Sequence, residues 1–534
     1  MIFLMLLSFI SIWIIMGNME REPNWRLALV QSLILWGAYL VLGTEFLSIF
    51  KFINRQALSL MWILPMFTGM IWTFFWLKQR KVLRLPVVYH RHSWGGMILD
   101  ILVVVILFVT ALVAFMAPPN TKEAMVTHMS RVAHWEQNQT LAHFPTGNEA
   151  QNSNAPGSDL IALNFYILGK GDRAVALVSW IGFAGSVAAA ASLAEVLGAK
   201  VNGQRMAAIF TATLPAAITQ ATGMANHGMA AFWIVSAVLL LICYIKIAQK
   251  PVILILSAVA AALAVVTTPA AFIYLWPFGL YAVVILRRRL GMVKMFMWAG
   301  VALMLFGLIN GGYLLRNQRT YGKIYRPTEL SHKMNDVRNW KVMVSNLTRN
   351  AALHADLPFP RADTWLMGNL QQFHTRLGLD IADPRTTLAD KFIIPEVNTS
   401  EMTSGNPLHA ALIIFSVTAI VGMVLLGKQD PNILAYTGAV FCSLLFFCYV
   451  LKWEATGGNL QLPFFILFAP LLAVFLDWLK KPDFISIMAV LLLVYAIPWL
   501  FQTYERPIFP DERRTSQYSV FIADKEKLYF STIP

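Results

Sequence analysis

A helical protein that threads a membrane many times is the fold class this sequence predicts, and three observations predict it. Hydrophobic residues make up 57% of the chain, charged residues only 13%, and mean hydropathy is +0.60, whereas a soluble domain carries roughly a quarter charged residues. Apolar stretches long enough to cross a bilayer as helices, about 17 to 25 residues, recur at roughly fourteen places. Polar, histidine-bearing connections alternate with short basic ones along the whole chain.

The expected spans are approximately residues 1–17, 26–50, 58–77, 97–117, 174–197, 206–222, 229–247, 251–268, 270–286, 295–315, 407–427, 432–451, 460–478 and 484–501. The first run, Met1 to Met16, lacks a basic flank and a small-residue cleavage site, so it reads as a retained span rather than a signal peptide. Basic residues cluster in alternate connections: Lys78, Arg80, Lys81, Arg84 and Arg91; Lys200 and Arg205; Lys246 and Lys250; Arg287, Arg288, Arg289 and Lys294; Lys428; Lys480 and Lys481. Positive charge in short loops marks the cytoplasmic side. The net charge of +14 is therefore explained by topology, and nucleic acid is not an expected partner. Cys243, Cys442 and Cys448 all sit in apolar runs, without a CxxC pair or histidines at ligand spacing. They read as packing residues, and neither a disulfide framework nor a metal site is expected.

The other parity is then extracytoplasmic. Membrane helices occupy 1–117, 174–315 and 407–501, separated by a first large loop at 118–173 and a long segment at 316–406, with a tail from 502 to 534. Segment 316–406 is too long for an ordinary connection, and its patterning around Trp340 to Leu353 and Trp365 to Leu377 predicts amphipathic helices along the membrane surface. The first loop carries Glu123, His128 and Arg131, which fall on adjacent turns if the loop opens as a helix. A site on this side is out of reach of soluble nucleotide-sugars and ATP, which leaves a lipid-carried donor.

The run Ala117-Pro118-Pro119-Asn120, then Met125, His128, Met129, Arg131-Val132, His134-Trp135, Gln137-Asn138 and His143-Phe144-Pro145-Thr146 resembles the first periplasmic loop of bacterial integral-membrane glycosyltransferases. The family is the dolichyl-phosphate-mannose-protein mannosyltransferase superfamily, of fold type GT-C. Gly171-Asp172-Arg173, Asn226 with Ala230-Ala231-Phe232-Trp233, Leu315-Arg316-Asn317 with Tyr321-Gly322, Asp383-Pro384-Arg385-Thr386-Thr387, Gly405-Asn406-Pro407-Leu408-His409, and Lys452-Trp453 with Leu462-Pro463 continue the likeness in order. Each string is weak alone; their order and spacing carry the resemblance. Four positions depart from it. Lys122-Glu123-Ala124 stands where the family reads Trp-Asp-Ser, Asn226-His227 replaces Asn-Asp, Thr268-Pro269 replaces Lys-Gly, and Asn459 replaces an arginine. Relatives also carry a folded periplasmic domain after the last span, where this chain has about thirty residues.

The resemblance implies a bundle of about fourteen membrane helices in a bacterial inner membrane and inverting transfer of a sugar from a polyprenyl-phosphate to an acceptor. Glu123 would be the general base. Arg316, followed by Arg131, His128 and His227, would bind the departing donor phosphate, and Asp159, Asn226 and Asn317 would position substrate or loop. No cofactor is implied. Each residue also has a plainer role: Glu123 paired with a neighbouring cation, Arg316 an interfacial anchor, His128 a structural hydrogen bonder, and Trp135, Trp233 and Trp453 belt residues. The competing reading of the whole chain is a GT-C scaffold without catalysis, serving as a subunit of a larger membrane complex.

Overall fold

The computed structural model describes residues 1–19, 24–84, 94–247, 249–324, 332–355, 360–388, 391–394, 398–425, 431–511 and 518–531. Arg91 and Lys428, two of the basic loop residues, lie outside them. The described residues are 75% helical and form no strand. Ten of their helices are long and apolar enough to cross a membrane, the composition of a polytopic helical membrane protein.

Four helices open the chain: α1 (Ile2–Met19), α2 (Trp25–Ile49), α3 (Arg55–Lys78) and α4 (Trp94–Met116). Asn24 and Asn54 start α2 and α3 by accepting the amides of Leu27 and Ala57 on their side chains, the standard device for satisfying a free helix N-terminus. The first polar loop contains a π-helical turn (Ala124–Met129), α5 (Ser130–Asn138), α6 (Ala150–Ser153) and α7 (Gly157–Gly169). The central bundle follows as α8 (Leu177–Leu197), α9 (Val201–Ala212), α10 (Pro215–Ala221), α11 (His227–Lys246), α12 (Pro251–Thr267) and α13 (Ala271–Tyr321). Then come α14 (Trp340–Ala352) and α15 (Pro360–Leu377), helices in the segment where two amphipathic helices are expected, and α16 (Pro407–Leu425), α17 (Pro431–Val450), α18 (Leu462–Leu479), α19 (Pro482–Tyr495), α20 (Ile497–Phe501) and α21 (Lys525–Phe530).

One expected span and one expected connection differ from what is observed, each for a local reason. Segment 206–222 is not one helix: Leu214 takes an extended ψ of 117°, as the residue before a proline tends to, and Pro215 restarts the chain as α10. Segments 270–286 and 295–315 are two helices, as expected, but they meet within α13 at Gly291 with no longer connection between them; its φ of 82° and ψ of 169° lie where a side chain would clash. Arg287, Arg288 and Arg289 therefore sit on helix, and Arg289 donates to the carbonyl of Ile245 at 2.7 Å, near the C-terminal end of α11 where a cation is favoured.

The most hydrophobic window of α11 is wholly buried, and those of α8 and α18 are 78% buried, against 17% for α1; these three helices form the bundle axis. Small residues permit the close crossing. A Cβ on Gly182 would lie 2.7 Å from backbone atoms of Gly228 and Met229, so α8 and α11 touch backbone to backbone, as small residues allow between membrane helices.

The two ends of the bundle are chemically different. At one end, Arg26 pairs with Glu195 at 2.9 Å and Arg205 reaches both carboxylate oxygens of Asp100 at 2.7 and 2.9 Å. At the other end, the polar segments of the opposite parity knit together. Lys452 and Asn335 bond through backbone to Lys333 and Val450, both at 2.7 Å. Asn346 donates to the carbonyls of Cys448 and Leu451, both at 2.9 Å, and the Trp453 indole donates to Arg349 O at 3.2 Å.

The charge pattern predicts that this end is extracytoplasmic; if so, single cysteines at exposed Gln137 and Arg338 should react with an impermeant thiol reagent in intact cells, and one at exposed Gln79 should not. Labelling of Gln79 with protection of the other two would invert the orientation.

Candidate functional site

The site begins at Thr121, whose hydroxyl accepts the amide of Ala124 at 3.3 Å and so starts the next turn. That turn is π-helical over Ala124–Met129, and Ser130 Oγ donates to the carbonyl of Met125, five residues back, at 2.9 Å. In an α-helix the stacked neighbours are three and four apart; the wider turn brings residues five apart into line. Glu123 and His128 are five apart, and their Oε1 and Nε2 atoms lie 3.7 Å from each other.

His128 in turn holds Asp159. Its Nδ1 is 2.7 Å from Asp159 Oδ1, and Asp159 Oδ2 is 2.8 Å from Arg131 Nη1. All three are at most 2% exposed. Arg131 also donates from Nε to Gln151 O and from Nη2 to the carbonyls of Ala150 and Asn154. The result is a row of alternating charge, Arg131, Asp159, His128, Glu123, running from the interior to a surface. Burial opposes charging of His128, but the Asp159 carboxylate, helped by Glu123, overrides it and raises the imidazole to about 10. Contact with His128 in turn lowers Glu123 to about 2 against the opposing effect of burial, with His227 and Lys333 adding to the effect through their charge.

The Glu123 side chain is about half-exposed (49%), and what it faces is a cavity of about 440 Å³. This lies within the range of roughly 300 to 1,000 Å³ usual for small-molecule sites. His227 at the start of α11, Gln220 from α10 and Asn459 before α18 line it, together with Lys333, Glu401 and Glu454. Lys333 Nζ contacts Glu454 at 3.3 Å. Glu401 pairs with Arg506, which also donates to Asn120 Oδ1 at 2.9 Å and Thr222 Oγ1 at 3.2 Å. Burial pushes the Glu401 carboxyl up to about 7, with Arg506 opposing and Glu505 adding to the rise. A narrower crevice of about 10 Å³ shares His227 and Asn459 and runs beside Tyr274 and Pro463; it holds about one water at most. Among the described residues, no group of three or more His, Cys, Asp or Glu side chains could hold a metal ion.

The expected site residues thus separate into those at the cavity and those behind it. Glu123 and His227 line it, Asn226 precedes His227 at the head of α11, and His128 stands one contact back. Arg131 and Asp159 are interior, holding each other rather than a ligand. Arg316 does not line the cavity: its fork binds both oxygens of Glu45 at 2.7 and 2.8 Å. Asn317 is buried beside Tyr313 on the same helix. Lys333, Glu401, Glu454 and Gln220 belong to the cavity and were missed. Glu454 follows the Lys452-Trp453 pair directly, and Glu401 precedes Gly405-Asn406-Pro407 by four residues, so adjacency to those strings was the only signal.

The fold and site together define a polytopic helical membrane protein with a charged cavity at one end of its bundle. The chain matches no known protein-family profile and no curated protein.

Two expectations follow from the buried row. His128 has its ordinary value of 6.5 raised to about 10, so its stabilising effect is complete below pH 6.5 and is lost as pH rises through about 10. Glu123 has 4.5 lowered to about 2, so its effect is complete above pH 4.5 and is lost as pH falls through about 2. Thermal unfolding should show wild type losing stability on the alkaline side relative to His128→Leu; parallel pH profiles would disprove the charged pairing. Arg131→Met, which leaves Asp159 with His128 alone, should destabilise the protein by about 3–5 kcal/mol, measured by denaturant titration in detergent.

Proposed function

We propose that this chain is an integral-membrane glycosyltransferase of the GT-C type, moving a sugar from a polyprenyl-phosphate carrier to a glycan, lipid or protein acceptor on the extracytoplasmic side of a bacterial inner membrane. The observation that supports it most is an ionised carboxylate, Glu123, at the wall of a ligand-sized cavity that also receives Lys333 and His227. The resemblance of the polar loops to that family supplies the reaction.

The acceptor oxygen attacks the anomeric carbon, the bond from that carbon to the phosphate oxygen breaks, and its electron pair leaves with the lipid phosphate. The acceptor proton passes to Glu123. A carboxylate of low pKa is a weak base for a free hydroxyl, but the hydroxyl becomes strongly acidic once its oxygen bonds to carbon, so a late transfer to Glu123 suffices. Charge growing on the phosphate calls for cations that act in the transition state. Lys122, Lys333 and His227 line the cavity and are placed for it, whereas Arg316 and Arg131 do not line it.

That withdrawal of both arginines favours the second reading, a non-catalytic GT-C scaffold within a membrane complex. Glu123→Gln keeps size and hydrogen bonding while removing the proton acceptor, and an active transferase should lose roughly two to four orders of magnitude in rate. The measurement is glycan transfer to the native acceptor by both proteins, with expression and complex assembly followed in parallel. Equal transfer would remove Glu123 as base; no transfer by either, with assembly intact, would favour the scaffold.

A further inference from the structure

The chain turns back onto its last membrane helices after leaving them. Val490, Val494, Ile497 and Phe501 follow one another at spacings of four, three and four along α19 and α20, and Ala496 between the two helices keeps helical torsions, φ −74° and ψ −14°. These residues therefore share one face. The first three are half-exposed, so the stripe belongs to the surface these helices offer to lipid. Phe501 ends the last span, and its carbonyl accepts the amides of Ile508 at 2.9 Å and Phe509 at 3.0 Å. The Phe509 ring stacks on the Phe501 ring, centroids 5.7 Å apart, yet Phe509 is 60% exposed. It prolongs the lipid-facing stripe by one aromatic residue.

A second stretch of the tail is tied to the first. Val520 donates its amide to Pro507 O at 2.9 Å, and Ser519 Oγ donates to Ile508 O at 2.8 Å. Val520 and Leu528 pack on Val113 and Ala117 at the exit of α4, where Phe115 and Met116 are exposed. The amides of Ile522 and Ala523 both donate to Ser519 O, closing a turn that leaves Phe521 44% and Ile522 87% exposed. Phe509, Phe521 and Ile522 thus stand beside the ends of two membrane helices.

Charge calls for no acidic or basic partner here, because Asp524 and Glu526 balance Lys525 and Lys527 within 518–531. The bilayer around α4, α19 and α20 already reaches this height, and it covers apolar side chains without any further component. We propose that the tail is an interfacial anchor, with Phe509, Phe521 and Ile522 inserted into the bilayer where headgroups meet acyl chains. Segments that lie in this layer seat their apolar side about 5–10 Å into it. Arg506 opens the same stretch of chain and pairs with Glu401 at the cavity, so the anchor fixes the height of that cavity wall over the hydrocarbon. This goes beyond the transferase reading and holds whether or not the chain transfers a sugar.

The test uses the full-length protein with Cys442→Ser, since Cys243 and Cys448 are buried, labelled with bimane at Phe509→Cys or Ile522→Cys in phosphatidylcholine nanodiscs. Both side chains are exposed, so labelling should leave thermal unfolding unchanged. Each label should lose most of its fluorescence when the lipid is phosphatidylcholine brominated near the head of its acyl chains, and little to aqueous iodide. Iodide quenching without bromolipid quenching, at either position, overturns the anchor. Iodide quenching in nanodiscs that disappears in native membrane vesicles overturns it as well, and assigns the patch to a protein neighbour.

Discussion

The Asp159 carboxylate between His128 and Arg131 is the constraint on which the polar end of this protein depends. It sits on α7, and both partners sit on the loop before it, so one buried acid fastens the loop to the bundle at 2.7 and 2.8 Å. Taking three charges out of water is costly and is offset only when geometry and further hydrogen bonds are good. Arg131 meets that condition with three backbone carbonyls from 150–154. The π-helical turn follows from this anchorage, because only with the wider turn does His128 reach Asp159 while Glu123 stays over His128.

A second buried pair does the same work from the other direction. Arg506, on the segment after the last membrane helix, pairs with Glu401 and holds Asn120, while Asn120 donates back to the carbonyls of Glu505 and Leu528 at 2.8 and 3.2 Å. Lys525 pairs with Asp172. The tail is therefore part of the cavity's foundation, and Gly223 shows how tightly: a Cβ there would meet both Glu401 and Arg506 at under 3 Å. Loop, long segment and tail are three distant parts of the chain that no single helix could bring together.

How much of this was legible depends on the range of the physics. Helices such as α2, α8 and α11 announce themselves through composition alone, since crossing a bilayer is a local requirement. The breaks at Pro215 and Gly291 are written in single residues: hydropathy averages across the first, so 206–222 read as one span, while the basic residues around the second made 287–294 read as a loop. The polar segments that alternate with the basic connections meet at one end. Glu123 and His227 were found because they stand in or beside ordered strings. Arg316 and Arg131 were placed at the ligand because their partners could not be seen: Glu45 is a lone acid within an apolar span, and Asp159 lies twenty-eight residues beyond Arg131. Lys333, Glu401 and Glu454 come from separate connections, and nothing local marks them as neighbours.

The pairing pattern also separates the fixed charges from the exchangeable one. Arg131, Asp159, His128, Glu401 and Arg506 are all buried with partners within the protein, and moving any of them would strand another charge at a cost of several kcal/mol. Glu123 is different. Its contact with His128 is the longest of the row at 3.7 Å, and half its side chain is open to the cavity. Exchanging that contact for an acceptor hydroxyl leaves His128 still bound to Asp159, so no charge is stranded. The buried row is thus a fixed mount that ends in one exchangeable contact, which the proposed role of Glu123 as proton acceptor requires.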